Sequence, residues 1–235
     1  MDIVPFVSSQ SALVRAMEER HSVRQYLDRP LPEELIGQLR RAADAANEEC
    51  DTSIQLVVDE PRAFRGFRSR ASAFQNVRNY FALIGPEFKQ LDQLLGYAGE
   101  KLVLYCQSAG LNTCWVGASY KMVKEQYQIV LGQKLAAVIA VGYGADAGKP
   151  HQSISPEAAA PQYESAPAWF RNGVDAALLA PTALNRQKFR FKLLDDVDGV
   201  PQVKATTKRG PFTQMDLGIA QLHFEIGANA PFQWA

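Results

Sequence analysis

Two short, almost wholly apolar runs constrain the fold of this chain more than any other feature. Tyr80-Phe-Ala-Leu-Ile84 is closed by Gly85-Pro86, and Leu135 to Val141 is closed by Gly142-Tyr-Gly144. Runs of this length without polar alternation read as strands buried on both faces, so other elements must cover them. Between them, Leu91 to Ser108 is the longest amphipathic segment, with Leu94, Leu95, Ala98, Leu102 and Tyr105 in one stripe and Gly110 placed as a C′ glycine. This segment is predicted to be the central core helix. The chain has 235 residues and is 47% hydrophobic, enough to bury a sizeable core in one large domain or two small, closely packed ones.

The flanking segments supply further elements. Ser8 to Glu19 carries Leu13, Val14 and Met17 on one helical face, with Ser8, Ser9 or Ser11 available as N-cap. Pro32-Glu33-Glu34 places a proline and two acids in a first turn, and Leu35, Ile36, Leu39 and Ala42 follow at helical spacing. Ile54 to Val58 reads as a strand ended by Asp59-Glu60-Pro61. Residues 144 to 168 change character, with Gly148, Pro150, Pro156, Pro161 and Pro167, and read as an exposed connector before regular structure resumes near Trp169.

Charge and cysteine usage exclude several function classes. Lys plus Arg and Asp plus Glu both count 25, so no global field draws the chain onto nucleic acid or an anionic membrane, and any anion site has to be local. Cys50, Cys106 and Cys114 form no Cys-x-x-Cys pair, fit a core or incidental role and suit a reducing compartment; no metal-ligand spacing is present. The segment MDIVPFVSSQ lacks a basic stretch and a long apolar one, and no run of about 18 uncharged apolar residues follows. The expectation is a soluble, cytoplasmic protein. A Gly-x-Gly-x-x-Gly fingerprint is also missing, which argues against a Rossmann dinucleotide domain.

One cluster stands out chemically. Arg20-His21-Ser22-Val23-Arg24 places two guanidinium groups, an imidazole and a hydroxyl within about one turn at the end of a helix-forming segment, a donor set suited to a phosphate and a polar ring edge. By itself the string also suits the solvated end of a surface helix.

Three motifs together carry a family resemblance. A helix leading into Arg-His-Ser-Val-Arg-Gln-Tyr, then Pro30 and Pro32-Glu33-Glu34-Leu35, looks like the opening of nitroreductase-family flavoproteins, whose Arg-[Arg/His]-Ser-x-Arg/Lys box binds FMN. Ala180-Pro181-Thr182-Ala183-Leu184-Asn185-Arg186-Gln187 is similar to that family's Ala-Pro-Ser-x-x-Asn-x-Gln turn, which reaches the flavin from a neighbouring subunit. Ala109-Gly110-Leu111-Asn112-Thr113-Cys114-Trp115-Val116-Gly117 is similar to the stretch that lies along the flavin ring. The resemblance implies an α+β fold with a central, mostly antiparallel sheet flanked by helices. It implies FMN contacts from Arg20, His21, Ser22, Arg24, Trp115, Val116, Gly117, Pro181, Thr182, Ala183, Asn185 and Gln187. Lys149 stands where the family offers a basic residue to the FMN phosphate, although a solvated loop charge fits it equally well.

The order of these motifs departs from the family pattern. The turn ordinarily follows the Arg-x-Ser box within a few dozen residues, but that place here is Asn47-Glu-Glu-Cys-Asp-Thr52, which is acidic and lacks the pattern. The second half also echoes the first: helix 168–179, turn 180–185 and strand 189–194 repeat helix 35–46, turn 47–52 and strand 54–58. Residues 216–228, with Trp234 after them, resemble residues 96–108 with Trp115 after them. The expectation is an internal duplication forming a pseudo-dimer. Its first half would be 1–150, its connector 151–165 and its degenerate second half 166–235, giving one FMN site per chain.

On this resemblance the chain is an FMN oxidoreductase passing reducing equivalents from NAD(P)H to an electron-poor small molecule such as a nitroaromatic or quinone, with no dedicated acid or base. A non-catalytic flavin-binding protein for storage or sensing is the alternative. Neither nucleic acid nor membrane is expected as a partner, and the chain is expected to be either a monomeric pseudo-dimer or a homodimer.

Overall fold

The computed structural model of the protein describes residues 9–235. The reading of Met1 to Ser8 as lacking a leader, and Ser8 as a cap, lie outside the described residues. Helix α1 (Gln10–Glu19) begins at Ser9, whose side chain accepts a hydrogen bond from the Ala12 amide, as the serine-rich start suggests. Helix α2 (Glu33–Cys50) starts after Pro32 with Glu33 and Glu34 in its first turn, and Asp51 ends it in the left-handed conformation.

The two apolar runs are the centre of the main sheet. Strands β1 (Gln55–Val57), β2 (Asn79–Pro86), β3 (Asn112–Val116) and β4 (Gln133–Gly142) form an antiparallel sheet in the order β1-β2-β4-β3. The short helix α3 (Phe67–Ala71) lies in the connection before β2. Tyr80 to Ile84 and Ala137 to Val141 are buried throughout, as strands covered on both faces must be. Helix α4 (Leu91–Ser108) covers one face and is itself buried along most of its length; it ends at Ala109, and Gly110 takes a positive φ. The expected α+β architecture, an antiparallel sheet flanked by helices, is the observed one.

The remaining chain builds a smaller sheet that packs on its own last helix, which in turn packs on α4. Helix α5 (Pro156–Ala159) is followed by α6 (Ala168–Ala177), the hairpin β5 (Phe189–Val197) and β6 (Val200–Thr207), α7 (Thr213–Ala228) and the short β7 (Gln233–Trp234). Helix α7 packs across both α4 and α6, so one continuous core of side chains runs through the two parts. The segment expected to be an exposed connector is partly structured: Ala159, Ala160 and Ala166 are buried against this core, because a run of small apolar residues can pack where larger ones would not fit.

Strand β6 has no counterpart in the sequence reading, although its signal was available. Asp198-Gly199 joins β5 to β6 with both residues at positive φ, the geometry of a two-residue hairpin turn. From α6 onward the order helix, strand, strand, helix, strand matches α2, β1, β2, α4, β3. Strand β7 runs parallel to β6, while β3 and β2 are likewise co-directional because both are antiparallel to the intervening β4.

Candidate functional site

The Arg20 to Arg24 string is extended, not helical. Arg20 leaves α1 with φ −70 and ψ 129, and the Val23 amide donates to the Thr113 carbonyl at 3.0 Å, with Ser22 bridged to Thr113 alongside β3. The expectation of one turn at a helix end is thus corrected: the chain is captured as a strand-like rung by the unpaired edge of β3. In extended backbone alternate residues share a side, so Arg20, Ser22 and Arg24 face together while Val23 is fully buried on the other side.

That shared side opens into a cleft with two unlike ends. One end, about 510 Å³, is lined by Arg20, His21, Ser22, Arg24, Asp146, Lys149, His151, Pro181, Thr182 and Asn185. Arg20 is buried and its Nε has no hydrogen-bond partner among the described residues. Burial pulls its guanidinium below the usual arginine value, opposed by the Glu100 carboxylate. Burial, and then the charge of Arg20, also holds the His21 imidazole below its ordinary value. Gly148, at positive φ, comes so close to His21 and Ser22 that a Cβ there would crowd them, and this approach brings Lys149 to the cleft wall.

The other end, about 390 Å³, is mostly apolar. It is lined by Trp115, Val116 and Ala137 of β3 and β4, by Gly117 just after β3, by Pro181 to Leu184, and by Phe212, Met215, Asp216 and Ile219, of which Asp216 touches the Pro181 turn. Gly117 is required by packing, because the Phe212 ring lies where a Cβ would project. Ser22, Arg24, Pro181, Thr182 and Leu184 line both ends, so the two form one continuous groove. Both volumes fall in the range of about 300–1,000 Å³ common to small-molecule sites.

A buried polar network supports Trp115. The Trp115 indole donates from Nε1 to Glu100 Oε2 at 2.8 Å, and His223 Nε2 meets Glu100 Oε1 at 2.9 Å. His223 Nδ1 meets the Ala176 carbonyl oxygen at 3.1 Å. Glu100 and His223 are fully buried, one on α4 and the other on α7. Nothing local in sequence marks this pairing, since His223 and Glu100 lie 123 positions apart.

Of the residues expected at a site, Arg20, His21, Ser22, Arg24, Lys149, Pro181, Thr182, Asn185, Trp115, Val116, Gly117 and Ala183 all line this groove. Gln187 does not: it is buried, donates to the Gln152 carbonyl and to Asn185 Oδ1, and accepts from the Ile154 amide, so it ties the turn to the connector. Among the side chains at the groove not singled out by sequence are His151 and Asp216. His151, read as part of a loose connector, bonds the Leu178 carbonyl and lines the cationic end. Asp216 lines the apolar end; its Oδ1 accepts from the Ala183 amide at 2.9 Å, its Oδ2 has no hydrogen-bond partner among the described residues, and burial pushes its carboxyl up to about 6.

The cysteines contribute nothing to the groove. All three are free and buried, and burial raises each thiol, Cys50 to about 11, which leaves them protonated and unreactive near neutrality. Among the described residues no cluster of potential metal ligands occurs, and no helix is long and apolar enough to cross a membrane.

The groove therefore suits a small amphiphile: a compact anion at one end and a flat apolar body at the other. The family model described as "Putative TM nitroreductase" matches residues 12–228. Among solved structures, the chain is similar to a "putative nitroreductase" from Thermotoga maritima, with 21% identity, a TM-score of 0.63, and 97% of this chain and 88% of that one covered. It also resembles a "Putative NADH dehydrogenase/NAD(P)H nitroreductase" from Bacteroides thetaiotaomicron, with 22% identity, a TM-score of 0.50, and 63% and 95% covered. No curated protein matches the chain by sequence.

Proposed function

The chain belongs to this nitroreductase family, and on that premise we propose that it is an FMN-dependent oxidoreductase whose single groove binds the FMN phosphate at the cationic end and the flavin ring at the apolar end. The observation that carries the reading is the two-ended groove. A buried arginine with an unpartnered Nε is costly unless an anion completes it, and the apolar end beside it accepts a ring. Bound FMN would supply the redox chemistry, carrying reducing equivalents from NAD(P)H to an electron-poor acceptor such as a nitroaromatic or quinone.

The protein's own part is positioning and electrostatics. Arg20 and Lys149, with Ser22 as a hydroxyl donor, line the cationic end together and would hold the phosphate. Arg24, which lines both ends, carries a fixed positive charge to the junction, where it would favour negative charge on a reduced ring. Trp115, Val116 and Gly117 would cover one face of a bound ring and shield it from water.

The same reading treats the chain as a fused pseudo-dimer, with residues 1–150 and 166–235 as halves joined by 151–165. It is supported by the repeated order of elements and by two carboxylates that each join one half to the other. Glu100 on α4 accepts from Trp115 of its own half and meets His223 of the other. Glu225 on α7 accepts from Trp234 of its own half and from the Tyr97 hydroxyl of the other. The box comes from the first half and the Pro181 turn from the second, so both are needed for one site.

The purified protein is expected to be yellow and to release FMN on denaturation. A colourless protein that takes up no added FMN overturns the proposal. Stopped-flow reduction by NADH and by NADPH then separates an enzyme from a flavin-storing or flavin-sensing protein, for which reduction would be negligibly slow.

A further inference from the structure

We infer that Asp216 is a ligand-completed acceptor at the apolar end of the groove, taking a hydrogen bond from the imide N–H of the flavin ring and so selecting for that ring edge. The inference rests on the FMN reading above and deepens it.

Asp216 is 5% exposed and stands in the first turn of α7, touching the Pro181 turn. Its two oxygens are used unequally. Oδ1 accepts from the Ala183 amide and so pins the turn to α7, whereas Oδ2 is buried without a hydrogen-bond partner among the described residues. An unmatched carboxylate oxygen in a dry site costs free energy. The nearby cations, Arg186 and Lys188, only partly oppose that cost, since burial outweighs them in raising the carboxyl. An apolar residue or an asparagine would serve the wall or the turn without this penalty. The missing partner has to be a donor brought by the ligand.

The chemistry of the ring names that donor. Asp216 shares this end with Trp115, Val116, Phe212, Met215 and Ile219, which offer dispersion, and with Ser22, Arg24, Thr182 and Arg186, whose polar groups make no hydrogen bond to its Oδ2. An oxidised isoalloxazine presents carbonyl oxygens, imine nitrogens and methyl groups around its edge, and one N–H, at the imide between the two carbonyls. A carboxylate can accept only from that N–H, and it would repel the flanking carbonyl oxygens if the ring were turned. Cations such as Arg24, at the groove's junction, can serve those carbonyls instead. Asp216 thus fixes which ring edge enters, a task that neither the cationic end nor the apolar side chains can perform.

The test compares FMN with FMN methylated at the imide nitrogen, titrated into flavin-free full-length protein and followed by flavin fluorescence. For the wild type, methylation is expected to weaken binding at least tenfold. In Asp216→Ala the ratio of the two dissociation constants should collapse to within about twofold of unity, with FMN itself bound more weakly. Asp216→Asn, which keeps an oxygen acceptor for the Ala183 amide, serves if the alanine variant fails to fold and should also lose most of the discrimination, because its amide donors can oppose the imide. Equal binding of the two flavins by the wild type, or a ratio unchanged by either substitution, overturns the inference and leaves the FMN reading standing. If the wild type binds neither flavin, that reading falls and this one falls with it.

Discussion

Gly96 on α4 and Gly218 on α7 sit in reciprocal contact: a Cβ on Gly96 would overlap the Met215 carbonyl oxygen, and a Cβ on Gly218 would overlap the Gln93 carbonyl oxygen. Each glycine therefore lies over the carbonyl three residues before the other, the pattern of two helices crossing about a local two-fold axis. The overlap falls on backbone, which cannot rotate aside.

Gly96→Ala or Gly218→Ala should force the helices apart and destabilise the fold by about 2 kcal/mol or more, lowering the melting temperature by roughly 5 °C or more. Gly37→Ala is the matched control. It lies inside α2 with its would-be Cβ at ordinary contact, 3.5 Å from an Arg41 side-chain nitrogen, and should raise stability by about 0.5–1 kcal/mol. Thermal melts of all three decide the matter, and wild-type melting of the Gly96 and Gly218 variants would reject the close crossing.

The Glu100–His223 contact offers a second prediction, about the seam between the halves. His223→Ala would leave one oxygen of a fully buried carboxylate without its donor and should cost about 3–5 kcal/mol. Glu100→Gln removes the charge and should be milder. In the double variant the effects should fall short of additivity by about 1 kcal/mol or more. Denaturant melts of the four proteins measure this coupling, and simple additivity would count against a network shared by the two helices.

Much of this architecture was legible in sequence, for identifiable reasons. The β2 and β4 runs and the α4 stripe announce themselves because a strand or helix buried on most sides tolerates almost no polar residue, and a glycine falls in the last residues of each strand and just after the helix. Motif resemblance also named most of the groove-lining residues, since the box and the turn are contiguous strings. Three things were hidden. The box is extended, because its conformation is set by pairing with Thr113 and not by local propensity. Asp216 carries no local motif and becomes notable only when the turn at Ala183 folds onto it. The proposed register of the repeat, 216–228 on 96–108, is two residues out from the Gly96–Gly218 crossing, which only tertiary contact reveals.

The arginines should separate binding from folding. Arg20 Nε bonds to nothing within the described protein, so Arg20→Met removes a desolvated charge without breaking a pair through that atom. The flavin-free variant should melt within a few degrees of the wild type, while its FMN affinity falls about 10- to 100-fold, the worth of one charge-assisted contact. Adding Arg24→Ala should abolish measurable FMN binding. Calorimetry with FMN and a melt without it make the comparison, and a large loss of flavin-free stability with FMN affinity intact would assign Arg20 a structural role instead.

Asp216 gives a pH-dependent prediction of definite sign. Its folded carboxyl is raised to about 6 from the ordinary aspartate value of 3.8, chiefly by burial, with the Ala183 amide, Arg186 and Lys188 opposing. Well below 3.8 the carboxyl is neutral in both folded and unfolded chains and costs nothing. As pH rises toward 6 the unfolded chain ionises while the folded one keeps its proton, so this residue's contribution to stability falls, and above about 6 the loss is complete. Asp216→Asn retains an oxygen for the Ala183 amide and should therefore stabilise the flavin-free protein by about 2 kcal/mol at pH 7.5, but by little at pH 4. Denaturant melts of wild type and variant at the two pH values test it. An equal difference at both would mean the carboxyl is not held in a desolvating wall, and a loss of stability at pH 7.5 would mean that its charge is already paired within the chain.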